Sequence, residues 1–351
     1  MFYGYATVAH KCYREVFGLA FEDFKPGQVF RHRPGITVSQ QDNKDESMET
    51  LNNAMLHYDA HYAAATEWKH PLGVSTLTLQ RVLGSTWKTF YNKARIRRFD
   101  KIAMTRPVFD GDTLYARSSI QSVHDTPGDT VHGEVRVLTE ALNQRHETVA
   151  TIDYTMLIYR RAQSPQARHE AGLLEPVDHP KFLAYHVNAA NEMTEQAGLF
   201  FEDFEVGERY QHRPGKTFLE AENWMHATRS LDWHPRYVDW EHIKRFEQGK
   251  QIVNDYYLLG AATALTTRTF DRVVANLGWI NTEFVEPVYV GDTLYAESEI
   301  LGTRESKSRP DQGIITAKTV VVNQRDQIAV QFERNFLVYR RGLGPYEKAG
   351  Y

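Results

Sequence analysis

The sequence predicts an α+β protein made of two copies of one unit. Three observations carry this. Blocks of sequence recur at one fixed offset of 180 residues. Each copy holds an apolar run with helical spacing. Each copy then holds three segments in which polar and apolar residues alternate, as in antiparallel strands with one face covered.

The repeat is read directly. Leu19-Ala20-Phe21-Glu22-Asp23-Phe24 returns as Leu199-Phe200-Phe201-Glu202-Asp203-Phe204, and His32-Arg33-Pro34-Gly35 as His212-Arg213-Pro214-Gly215. Gly111-Asp112-Thr113-Leu114 returns as Gly291-Asp292-Thr293-Leu294, Asn143-Gln144-Arg145 as Asn323-Gln324-Arg325, and Tyr159-Arg160-Arg161 as Tyr339-Arg340-Arg341. A period this long means duplicated domains and not a solenoid of short repeats. The expected domains are 1–161 and 181–351, with the Pro- and charge-rich stretch 162–180 as a surface linker.

Within each copy the elements follow one order. A short helix is expected first, over Ala6–Phe17 and Leu183–Gln196. A strand entry follows, turning at Pro26-Gly27 or Val206-Gly207. A polar turn and a buried helix come next, the helix in the apolar run Val74–Phe90 of copy one and Asp255–Val274 of copy two. Leu258, Leu259, Ala262 and Leu265 give the second its helical spacing. The alternating segments are Thr113–Val123, Val131–Leu142 and Thr148–Tyr159, matched by Thr293–Leu301, Gly313–Val322 and Gln327–Tyr339. One apolar helix with antiparallel strands implies a sheet wrapped round the helix.

Composition narrows the function. The chain has 351 residues, 42% hydrophobic and 25% charged, enough for a real core. A net charge of −4 gives no basic excess for nucleic acid. Cys12 is the single cysteine, so no internal disulfide can form and a reducing, cytoplasmic compartment is expected. No apolar run reaches the length of a membrane span, and Met1–His10 lacks the regions of a signal peptide. The 15 histidines are scattered, and no metal is expected.

The chemistry is expected in the stretch Asn52–Phe90. His57 can move a proton near neutral pH. The start of the following helix, at Gly73 and Ser75, offers backbone N–H groups suited to negative charge on an oxygen. Arg95, Arg97 and Arg98, beside Lys93 and Lys101, read equally as a phosphate clamp or a solvated strand or loop face. Asp112 and Asp292 read as turn residues, and Asn254-Asp255 as a helix cap.

The apolar helix, then Pro107…Gly111-Asp112-Thr113-Leu114 and three strands, with its second copy, resembles the MaoC-type enoyl-CoA hydratases. Within them the pattern is most similar to mesaconyl-CoA hydratases, also called β-methylmalyl-CoA dehydratases. Val274-Ala275-Asn276-Leu277-Gly278 with Pro287 resembles one of their halves, and Asn52-x-Ala54-x-x-His57 the other. The resemblance implies a double hotdog fold: two tandem domains, each an antiparallel sheet wrapped around a long central helix. It implies a hydro-lyase acting on an enoyl-CoA thioester, branched or carboxylated, with no cofactor beyond the CoA of the substrate. The expected partners are that acyl-CoA thioester and a second copy of the chain as a homo-oligomer, such as a dimer. Nucleic acid and membrane are not expected.

The family motif is Asp-x-Asn-Pro-x-His. Copy one keeps only its histidine, His57, with Asn52, Ala54 and Met55 at the other positions. Copy two keeps Asp232 and Pro235, with His234 at the Asn position and Tyr237 at the His position. The resemblance thus makes His57 the base and Asn52 the group that orients water, since an amide holds water but takes no proton. Asp232 and His234 form the rival pair. Two other readings stay open: an acyl-CoA thioesterase of the same fold, and a non-catalytic acyl-CoA-binding pseudo-dimer.

Overall fold

The computed structural model describes residues 1–165, 174–196, 198–346 and 349. The expected linker at 162–180 therefore lies partly outside the described residues. Strands β1 (Tyr5–Ala9) and β2 (Cys12–Glu15) open the chain, followed by β3 (Val29–Arg31) and β4 (Ile36–Thr37). The large strands of copy one are β5 (Lys93–Met104), β6 (Thr113–Asp125), β7 (His132–Leu142) and β8 (Thr148–Tyr159). Copy two repeats this with β9 (Tyr185–Val187), β10 (Met193–Glu195), β11 (Arg209–Thr217), β12 (Val273–Phe284), β13 (Thr293–Glu305), β14 (Gln312–Asn323) and β15 (Ile328–Tyr339).

The chain forms two compact units, and they do not part at a single point in sequence. Unit 1 comprises Met1–Phe2, Phe17–Leu174 and Leu183–Gln196; unit 2 comprises Tyr3–Val16, Glu175–Phe182 and Ala197–Tyr351. In unit 1 the sheet runs β5-β8-β7-β6-β3-β10-β9, with β4 also on β6. In unit 2 it runs β1-β2-β11-β13-β14-β15-β12. The large strands pair antiparallel, while β10 lies parallel to β3 and β2 parallel to β11.

Each sheet curves round one helix. In unit 1 the helix Ser75–Ser85 packs Leu77 and Val82 against Leu114, Ala116, Val135, Val137, Ile152 and Met156. In unit 2 the helix Asp255–Ala264 packs Leu258, Ala261 and Ala262 against Leu294, Ala296, Val321, Val330 and Phe332. The inward side chains come from alternate strand positions, which is why the sequence shows period two. This is the hotdog architecture twice over, α+β throughout. No helix among the described residues is long and apolar enough to cross a membrane.

Three expectations are corrected. The helices expected over Ala6–Phe17 and Leu183–Gln196 are the hairpins β1–β2 and β9–β10. Their residues are chosen for long-range pairing: Glu15 and Glu195 are buried in sheets whose other strands lie far along the chain. The central helices are shorter than expected, ending at Ser85 and Ala264. Hydroxyls end them. Ser85 and Thr86 donate to the carbonyls of Val82 and Leu83, and Thr266 and Thr267 to those of Thr263 and Ala264, so the last carbonyls are satisfied without further helical turns. Two polar helices, Gln40–Glu49 and Glu220–Arg229, were not foreseen; the first carries almost no apolar periodicity, and the second carries a clear amphipathic pattern that the reading passed over.

The repeated blocks are structural fasteners. Asp23 holds the N–H of Ala20 and takes the guanidinium of Arg161, while Glu22 takes the Arg161 N–H. Asp203, Glu202 and Arg341 do the same in unit 2. The Phe21 ring lies on Gly133 and Phe201 on Gly313, where a Cβ would stand 2.2 and 2.1 Å from ring carbons. Asp112 accepts from Phe109 N–H and Gln144, and Asp292 from Tyr289 N–H and Gln324. Both aspartates are turn residues, as their sequence context indicated.

Candidate active site

The polar turn of unit 1 is organised by Asn43, a buried residue of the helix Gln40–Glu49. Its Nδ2 donates to the carbonyls of His57 (2.8 Å) and Leu72 (2.9 Å). Its Oδ1 accepts from Val74 N–H at 2.7 Å. One amide thus ties the His57 turn to the start of the central helix. Asn223 repeats two of these bonds, to the Ile252 carbonyl and the Asn254 N–H. The 180-residue offset holds at Asn43 and Asn223, and that identity was the signal available in the sequence.

His57 closes a short 3-10 turn, Met55–His57, and is half-buried. Its Nδ1 stands 2.8 Å from the Leu72 carbonyl, which can only accept. Nδ1 therefore carries the proton in the neutral ring, and Nε2 keeps its lone pair for a proton from elsewhere. Asn52 uses its Oδ1 in a local turn, accepting from Ala54 N–H at 3.0 Å. No hydrogen bond joins Asn52 to His57 among the described residues.

The helix start differs from expectation at one residue. The N–H of Gly73 is spent on the Val108 carbonyl at 2.8 Å, so it is not a free donor. Gly73 is there for close approach: a Cβ would meet that same carbonyl oxygen at 2.8 Å. Ser75 begins the helix, and Val74 before it supplies no side-chain cap. The open N–H groups are therefore those of Ser75 and Thr76, both exposed residues. Beside them is Glu46, buried, accepting from Thr76 Oγ1 (2.7 Å) and Gln80 Nε2 (3.0 Å). It stands one helical turn from Asn43, on the same face, and sequence reasoning missed it.

In unit 2 the same positions are closed. Asn254, the counterpart of Val74, caps the helix by accepting from the N–H groups of Tyr256 (3.1 Å) and Tyr257 (3.2 Å). Its Nδ2 donates to Asp232 at 3.0 Å. Asp232 is therefore the anchor of a cap. His234 caps the short helix Pro235–Val238, accepting from Arg236 N–H at 3.3 Å. Tyr237, at the position of His57, is buried, and burial, then the charge of Asp255, pushes its hydroxyl above the usual range.

Of the basic group on β5, Arg97 pairs with Glu134 and Arg98 with Asp100. His57 and His61 have a four-residue spacing, but among the described residues no group of three His, Cys, Asp or Glu is arranged around a common point.

The mesaconyl-CoA hydratase family matches residues 180–349. A β-methylmalyl-CoA dehydratase of Chloroflexus aurantiacus is 27% identical over 330 residues, 88% of this chain and 89% of that one. A mesaconyl-CoA hydratase of Haloarcula hispanica is 30% identical over 154 residues, 42% of each chain. Among solved structures, a MaoC-domain dehydratase of Chloroflexus aurantiacus is 23% identical with a TM-score of 0.40, covering 93% of this chain and 98% of its own. The chain is similar to the MaoC-like hydratases and dehydratases, whose named members are hydro-lyases. The likeness sharpens the contrast between the halves: the Asp-x-Asn-Pro-x-His motif is split, its His in unit 1 and its Asp in unit 2.

Proposed function

We propose that the protein adds water reversibly to an enoyl-CoA thioester, with the chemistry in unit 1. The observation that carries this is the pairing of a histidine fixed through Nδ1 with an uncapped helix start in the same unit. Water attacks the β-carbon while His57 Nε2 takes one of its protons. Negative charge gathers on the thioester oxygen and is met by the Ser75 and Thr76 N–H groups. His57 Nε2–H then returns that proton to the α-carbon, completing the addition and restoring the neutral ring. Asn52 holds the water through its free amide hydrogens, and Glu46 is the carboxylate that stands in for the missing family aspartate.

The substrate we infer is a branched or carboxylated enoyl-CoA such as mesaconyl-CoA, the compound named for the relatives in both family and sequence comparisons. CoA belongs to that substrate, and no other cofactor is needed for the steps above. Loss of enoyl absorbance with mesaconyl-CoA and crotonyl-CoA tests the reading. Thiol release without hydration would make the protein a thioesterase. Binding without either would make it an acyl-CoA carrier.

A further inference from the structure

Arg334 lies on β15 in unit 2, only 3% exposed. Its guanidinium stacks near the rings of Phe336 (4.5 Å) and Phe270 (5.4 Å), both fully buried. Nη2 donates to Thr266 Oγ1 at 2.6 Å. Nε is buried and has no partner. No Asp or Glu pairs with Arg334 among the described residues. The nearby titratable group is His212, whose proton affinity burial lowers first and the Arg334 charge lowers further. Arg268, whose charge also lowers His212, is taken by Glu15 at 3.4 Å. Burial pushes Arg334 down to about 10, as an unpaired charge in a dry site requires.

The first copy shows that the fold does not need this cation. The residue 180 positions earlier is Tyr154, equally buried and bonded through its hydroxyl to Thr139 at 3.2 Å. A neutral phenol fills the site there. Keeping an uncompensated guanidinium in its place is strongly unfavourable unless something negative joins it.

We propose that Arg334 is the base of a buried anion site in the second half, and that the anion is a carboxylate. The guanidinium carbon stands over two aromatic rings, and on the guanidinium edge Nε keeps a donor with no partner. A planar carboxylate fits such an edge in the fork geometry. It also brings one negative charge to one positive charge. A phosphate dianion would leave excess charge buried with no second cation to meet it. The carboxylate is that of a free small acid, and this site does not depend on the hydratase reading.

The test is thermal unfolding of the full chain in sodium acetate or mesaconate against sodium chloride at equal ionic strength. The expected result is a carboxylate-specific rise of about 2 °C at roughly ten times the dissociation constant. Arg334→Tyr, which copies the first half, should fold and lose the rise. Arg334→Lys keeps the charge without the fork and should weaken it. An equal rise with chloride, no rise at all, or the same rise in Arg334→Tyr overturns the proposal. Absence of turnover would sink the hydratase reading and leave the free-acid measurement intact.

Discussion

His57 is the residue on which the proposed chemistry turns, and its neighbours define what to measure. A histidine locked through Nδ1 has one nitrogen left for proton transfer. His57→Ala should lower turnover by roughly 10²–10⁴-fold, the usual contribution of a placed acid or base, with the melting temperature little changed. A silent variant would remove His57 from the mechanism. Ser75→Pro tests the oxyanion donor. Proline is tolerated at the first helical position, where it removes only an N–H that the helix does not use. Turnover should fall about 10²-fold or more while stability moves by a few tenths of a kcal/mol. Parallel loss of both would make Ser75 structural. At this scale the sequence pointed to His57 by its residue type and to Ser75 by the expected helix start, and the helix does begin at Ser75. It was silent on Glu46 and misleading on Gly73. Both depend on which group each residue meets across the fold, Thr76 in one case and the Val108 carbonyl in the other.

The element that the sequence misreported most is the opening hairpin of each copy. Its residues pair with strands far along the chain, a relation that local periodicity does not encode. A buried acid fastens each hairpin. Glu195 contacts His32 Nδ1 at 3.0 Å, Thr89 Oγ1 at 2.8 Å and the Arg33 N–H at 3.0 Å. Glu15 accepts from Thr269 Oγ1 at 2.7 Å and the Arg213 N–H at 2.9 Å. Burial opposes the charge of both acids, but these partners, with His32 or with His212 and Arg268, outweigh it and hold both carboxyls below the usual range. A carboxyl held low stabilises the fold fully above its unfolded value of about 4.3, and that stability is lost as pH falls through the folded value. His212, held low by burial, adds a loss that begins below about 6.5, because the unfolded state takes the proton first. Melting temperature should therefore decline in two stages on acidification. Glu195→Gln should cost about 2–3 kcal/mol at pH 7 and flatten the stage below pH ~4.3. An unchanged acid limb in that variant would refute the role. The edge strands β5 and β12 were also missed, because neither of their faces is consistently buried and bulges break their alternation.

Across the whole molecule, what the two copies share is fastening and what they do not share is chemistry. The blocks identical at the 180-residue offset bind one another within each unit: the Phe-Glu-Asp-Phe turn to the arginine pair, the Gly-Asp-Thr turn to the Asn-Gln-Arg turn. Duplication was therefore the most legible property of the sequence. Divergence falls on Asn52 against Asp232, His57 against Tyr237, and Val74 against Asn254. In unit 2 this set makes a closed cap, with Asp232 holding Asn254 and Asn254 covering the helix start. Asp232→Asn should then leave turnover nearly unchanged and cost about 1 kcal/mol of stability through the weakened cap. Abolished turnover there, with His57→Ala silent, would move the chemistry to unit 2. The sharper experiment rebuilds the closed arrangement in unit 1 as the double variant Asn52→Asp/Val74→Asn. Both substitutions are made together, since a buried Asn at position 74 needs the acid that holds its amide. The Asn side chain should then take the N–H groups that the thioester oxygen requires. Helix capping adds about 1 kcal/mol and offsets part of the apolar burial that Val74 provides, so the melting temperature should stay close to that of the parent. Turnover should fall about 10²–10³-fold, the effect of losing an oxyanion donor. A folded double variant with full activity would mean that the open helix start of unit 1 is not where the reaction's charge is held.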